Sequence, residues 1–415
     1  MVELLFTVYA LVLLGVSRRM YGTHLTPFAV LTVIYIVLIL LNNLVFVHLG
    51  FNSVNSLSLL YLGFFLGLIF LVGQIILLCS HKVVREDSYK LAKGYYHRVI
   101  EARWRVIFVL FTVGLVAKLY SLLVAINTYG ILDTKGTSEG LLAHIGNIGM
   151  MLTPLVFVYY MNHKRQIHLL LMIIAMFTSL VVYGGKYPVM ILFLYTAFLY
   201  LMLNKTKAKT IIKIAGLGAF LSVAMFIAIY TIKPLIDYGG FDERLFEDGL
   251  NFTFQHLFFY IAGSLVAMNE FFTSTYGSIE SGLAVLFTVP VNMANAFIGD
   301  GNFISPVIAM RVEVVPDSWA NVGGLISETV YHVGPALAIC YIAGVFSFFY
   351  LIFIKARFSG RMLSLAACLL SVSALSFFCN FMTVSGVVIP IFFLMILELL
   401  LDTNLFRRKL GVKHE

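Results

Sequence analysis

Apolar runs of about 20 residues recur along the whole chain, separated by short polar breaks. That run length is what a helix needs to cross ~30 Å of hydrocarbon. Nothing else in the sequence constrains the fold as strongly. Hydrophobic residues make up 61% of the 415 and charged residues 12%, against about half and about a quarter in a soluble globular chain. The chain therefore reads as an all-α polytopic membrane protein with no soluble domain of ordinary size.

The breaks place eleven spans, at 2–16, 26–49, 58–80, 104–128, 141–162, 167–183, 187–203, 211–232, 326–354, 362–380 and 384–402. Eight form an N-terminal bundle over 1–232. Three more, with a C-terminal tail, fill 326–415. The first run lacks the basic flank and small-residue cleavage site of a signal peptide, so it reads as a retained span. Cys79, Cys340, Cys368 and Cys379 lie in or at the ends of apolar runs, with neither metal-ligand nor disulfide spacing.

Charge sets the expected topology. Arg18 and Arg19, the seven bases between Lys82 and Arg105, Lys164 with Arg165, Lys205 with Lys207 and Lys209, Lys355 with Arg357 and Arg361, and the tail from Arg407 to Lys413 occupy alternate breaks. Basic loops face the cytoplasm, which puts the N-terminus outside and the C-terminus inside. The net charge of +8 comes from these loops and is no nucleic-acid footprint. Lys186 breaks the pattern. It stands alone at a tight outer hairpin, after Gly184 and Gly185, where the bland reading is a snorkelling side chain.

Residues 233–325 form the one large outer segment, with ten acids and three bases, Lys233, Arg244 and Arg311. Phe252–Phe272 and Ser281–Phe297 are apolar and aromatic but interrupted by polar residues, which suggests helices in or on the outer interface. Within the spans, Lys118, His144, Glu328, His332 and Glu398 are the main ionisable groups, each a functional hypothesis by default. Glu328 and His332, four apart, share a helix face near the outer surface. Lys118 and Glu398 read as facing each other or snorkelling.

In layout, the whole chain resembles the O-antigen polymerases, the Wzy-type oligosaccharide repeat-unit polymerases of bacterial surface polysaccharide pathways. Three short motifs carry the likeness: Gly184-Gly185-Lys186 at the outer hairpin; "FFYIAGSLVAMNEFF" with Tyr260, Gly263, Ser264 and Asn269; and "NVGGLISETVYHVGPAL" with Asn321, Tyr331 and Gly334. Many members carry arginine where Lys186 stands, and often aspartate where His332 stands. The resemblance implies a GT-C-class membrane glycosyltransferase of the bacterial inner membrane, working at its periplasmic face. Its partners would be undecaprenyl-pyrophosphate-linked oligosaccharides and a chain-length regulator protein.

In such a reaction an acceptor hydroxyl attacks the anomeric carbon and lipid pyrophosphate leaves. The growing negative charge calls for cations at the outer face. Lys186, Arg244 and Arg311 are the candidates, with Lys233 as a fourth. His332, Glu328 and His256 are candidate proton acceptors or hydroxyl positioners. Each is also readable as an ordinary hydrogen-bonded structural residue. Tyr260, Trp319 and Tyr331 are candidate stacking surfaces, and Asn269 and Asn321 candidate substrate contacts. The acids are scattered, so neither metal nor other cofactor is expected. Rival readings are an O-antigen ligase, a lipid-linked oligosaccharide flippase, and an assembly subunit without chemistry.

Overall fold

The computed structural model describes residues 2–80, 86–132, 141–163, 166–204, 208–274, 277–299, 301–305, 311–320 and 322–401. Many of the loop bases that set the expected topology, and Asn321, lie outside the described residues.

Every expected span is helical. The helices are α1 (Val2–Tyr21), α2 (Pro27–Leu44), α3 (Ser56–Cys79), α4 (Glu86–Tyr129), α5 (Leu141–Asn162), α6 (Ile167–Val182), α7 (Lys186–Leu203), α8 (Ala208–Ile227), α9 (Lys233–Tyr238), α10 (Glu243–Phe271), α11 (Ile279–Leu286) and α12 (Thr288–Ile298). A hairpin of β1 (Val312–Val315) and β2 (Ser318–Ala320) comes next in the chain, then α13 (Leu325–Ser359), α14 (Leu363–Leu375) and α15 (Ser385–Leu401).

Among the described residues, seven helical stretches are long and apolar enough to cross a membrane: α2, α3, α5, α7, α13, the Lys93–Tyr129 part of α4, and Lys209–Tyr238, which runs through α8 and α9. The protein is thus an all-α, multi-pass membrane protein. Helices α6, α14 and α15 are apolar but shorter, and α11 and α12 meet at 87° as a bent pair. Exposed leucines, valines and isoleucines along α1, α3 and α4 are what a lipid-facing surface requires.

Three segments differ from their sequence reading. The basic stretch expected as a loop before residue 104 is helical from Glu86, continuous with the span behind it; charged residues with good helix propensity extend α4, and Gly94 alone does not interrupt it. The apolar stretch from Phe252, helical as expected, is not a helix of its own but the later part of the 29-residue α10. Asp242 caps that helix, accepting from the Leu245 N–H at 2.8 Å, so the acidic "DERLFED" run is its first turns. The third is the β-hairpin. Pro316-Asp317, with Asp317 at φ 63°, forms its turn, and Glu313 pairs across with Trp319.

The chain divides into two compact units, with boundaries inside α10, α13, α14 and α15. One comprises Met1–Arg85, Phe258–Ile354 and Val372–Val388. The other comprises Glu86–Leu257, Lys355–Ser371 and Ile389–Glu415. In the first, Phe46, Phe51, Ala262, Val266 and Val314 form a buried cluster that seats the hairpin on α10. A Cβ at Gly263 would lie 2.9 Å from that of Ala320, so only glycine allows the strand to approach this closely. In the second, α4 and α5 cross at Gly114 and Gly149. A Cβ at 114 would come within 2.4 Å of the Gly149 Cα, the close backbone approach that small residues give helices in lipid.

Candidate functional site

In the second unit, Lys186 stands at the first position of α7, just past the α6–α7 corner. The corner is a Schellman turn: the Gly185 N–H reaches the Leu180 carbonyl and the Gly184 N–H that of Val181, with Gly184 left-handed at φ 74°. The two glycines thus stop α6 and reverse the chain. Gly185 is the N-cap of α7, which has no side-chain cap and no acid in its first turn. A lysine there opposes the helix dipole, so something else must hold it.

Tyr230 does so. The Lys186 ammonium donates to the Tyr230 hydroxyl, and lies 4.4 Å from the Tyr230 ring centre and 5.4 Å from that of Phe226. Lys186 is half-buried in this cage rather than extended into solvent. Tyr230 owes its direction to a π-helical turn, Ala228–Ile232, between α8 and α9. One extra residue in a helical ladder rotates the next turn by about 100°.

Helix α10 closes the cage with residues spaced 249, 253 and 256, one helix face. Gly249 lies so close to Thr231 that a Cβ would fall 3.0 Å from its Cα. The hydroxyls of Thr253 and Thr231 meet at 3.1 Å. His256 stacks on Phe252 at 4.4 Å and meets the Tyr230 ring edge-on at 4.9 Å. Burial, and then the Lys186 charge, hold the His256 imidazole below its ordinary pKa, leaving it neutral near pH 7 and able to accept a proton.

The same unit holds a further buried cation. Lys118 on α4 is 6% exposed, and its ammonium lies 4.2 Å from the ring centre of Tyr183, the cap residue of α6. Lys118 and Glu398 do not face each other. Glu398 instead accepts the Ser364 N–H at 2.8 Å. A buried ammonium without a carboxylate costs several kcal/mol, and a desolvated cation–π contact returns only about 2.

Of the other expected cations, Lys233 is buried at the exit of the π turn. Arg244 is exposed and lies 12 residues before His256 on α10, about 18 Å along the axis. Arg311 belongs to the first unit and is exposed beside the hairpin.

In that first unit, Glu328 bridges two backbone segments. One carboxylate oxygen accepts the Gly323 N–H at 3.0 Å and the other the Asn380 N–H at 2.9 Å, tying the start of α13 to the segment after α14. His332 is buried just before a break in α13 at Gly334, which has φ 75° and ψ 167°, a region essentially reserved for glycine. Its carbonyl faces Gly282, where a Cβ would fall 1.8 Å away. Asn269 accepts from Asn55 N–H and Ser58 Oγ at 3.0 Å and donates to the Ser53 carbonyl at 2.9 Å. Tyr331 stacks on Phe271 and Tyr260 on Phe378, with centroids 5.1 and 5.0 Å apart. Trp319, on β2, is 55% exposed.

Searches against protein-family models, curated proteins and solved structures return no match. Tyr230, Phe226 and Tyr183 are the site residues that sequence reasoning missed. Tyr230 had one visible signal, an aromatic residue just before Lys233-Pro234. A π turn leaves no mark in a single sequence.

Proposed function

We propose that this protein is a membrane glycosyltransferase that polymerises lipid-linked oligosaccharide repeat units, as its sequence resemblance implies. A hydroxyl of a new repeat unit attacks the anomeric carbon of the growing chain. The new glycosidic bond forms as the bond to the polyprenyl pyrophosphate breaks, and the pyrophosphate leaves with the electron pair. Eleven spans, an outer N-terminus, an inner C-terminus and a GT-C-like arrangement belong to this proposal. It places the α6–α7 corner at the outer face of a bacterial inner membrane.

One observation carries it: Lys186 is caged by Tyr230 and Phe226 and neighboured by a neutral His256, instead of snorkelling. A fixed cation stabilises a departing pyrophosphate without reorganisation. A neutral imidazole beside it takes up the hydroxyl proton.

The test is the surface glycan of a strain lacking the gene, resolved by size. If the protein is the polymerase, single repeat units still reach the surface while the ladder of longer chains disappears. Loss of every repeat unit from the surface would overturn that reading in favour of a ligase or flippase.

A further inference from the structure

Lys118 is a buried intramembrane cation that the proposed reaction leaves unused, and its surroundings point at the same corner of the fold. Tyr183 caps α6 and begins the four-residue turn that ends at Lys186. The Lys118 ammonium sits on the ring at one end of that turn, and Lys186, whose ammonium is held by Tyr230, forms the other end. Among the described residues no carboxylate pairs with Lys118. Asp237, the acid beside the end of α4, lies against Gly130, about 18 Å along α4 from Lys118. Gly146 on α5 leaves room for the lysine stem: a Cβ there would meet the Lys118 side chain at 3.1 Å. The stem is therefore threaded between α4 and α5 toward the turn.

Lys118 and Lys186 bring two positive charges to one turn, and like charges repel more strongly at low dielectric. An anion between them converts that repulsion into two attractions. A phosphoryl group is the chemistry that fits, because its several oxygens accept from more than one donor at once.

We propose that Lys118 is a second cation of the anion site headed by Lys186, and that the two lysines together bind one diphosphate at the Tyr183–Lys186 turn. The diphosphate is either a lipid headgroup or a free inorganic anion. This rests on the reading of Lys186 as the pyrophosphate cation and assigns it a partner from another helix.

The experiment uses the full chain in detergent micelles, titrated with farnesyl pyrophosphate and, in a separate arm, with inorganic pyrophosphate. Tighter binding of the farnesyl compound identifies a lipid headgroup as the ligand; equal binding identifies the free anion. In either arm Lys118→Met raises Kd by about tenfold or more, the size of one lost charge-assisted hydrogen bond. Lys118→Arg, which keeps the charge, stays within about threefold of wild type. Tyr183→Leu, which removes the ring under the ammonium, weakens binding, and Tyr183→Phe does not. An unchanged Kd in Lys118→Met with a large loss in Lys186→Met overturns the role of Lys118 and leaves Lys186 standing. An unchanged Kd in both variants overturns both.

Discussion

Lys186 and Tyr230 meet through a hydrogen bond from ammonium to phenol, although 44 residues separate them and the π turn Ala228–Ile232 is needed to aim the tyrosine. A lysine that only needed water would require neither the turn nor the ring. Holding the cation here fixes where a negative charge can settle.

Tyr230→Phe keeps the ring beside His256 and deletes the acceptor for Lys186. Loss of that bond corresponds to about 1–2 kcal/mol, or roughly a tenfold fall in polymerisation rate. In vitro chain extension on a lipid-linked repeat unit measures it. An unchanged rate would show that the ring alone positions the lysine.

Removing Ala228 converts the π turn into ordinary helix and rotates Tyr230 by about 100° relative to α8 and its Phe226. The variant should enter the membrane in normal amounts and lose the polymer ladder. Normal polymer would mean that the π turn has no part in the site.

His256 gives a pH signature. Its imidazole is depressed by burial and by Lys186, so below about pH 6.5 the unfolded chain binds a proton that the folded chain refuses. Stability is therefore whole above that pH and falls as pH drops through it. Thermal melts between about pH 5 and 7 should show a shallower decline for His256→Gln than for wild type. Lys186→Met should be intermediate, because one of the two depressing influences is gone. Identical slopes in all three proteins would contradict the placement of His256 beside Lys186.

Glu328 predicts the opposite kind of result. Each of its oxygens accepts a backbone N–H, and Gln supplies only one acceptor. Glu328→Gln should destabilise by about 1–3 kcal/mol, seen as a lower Tm, with the rate per folded molecule nearly unchanged. A normal Tm with a lost rate would make Glu328 part of the chemistry instead.

The helices were legible in the sequence because length and hydrophobicity decide them, and each of the eleven apolar runs is helical. What the sequence hid is where local order depends on distant contacts. The hairpin Val312–Ala320 exists because Phe46, Phe51 and Val266 give it a surface to bury against. Asn269 looked like a substrate contact, yet its three bonds go to residues more than 200 positions away. Lys186 could be singled out because it breaks the charge pattern of the loops. Tyr230 and Tyr183 could not, because aromatic residues are common at membrane interfaces and only the fold shows which ones touch a cation.

The most direct test of the caged-cation site is complementation of the deletion strain with Lys186→Ala, reading the size distribution of surface glycan at matched membrane levels of the protein. A caged cation that carries the reaction predicts single repeat units with no ladder, and partial recovery with Lys186→Arg. A full ladder from Lys186→Ala would contradict it.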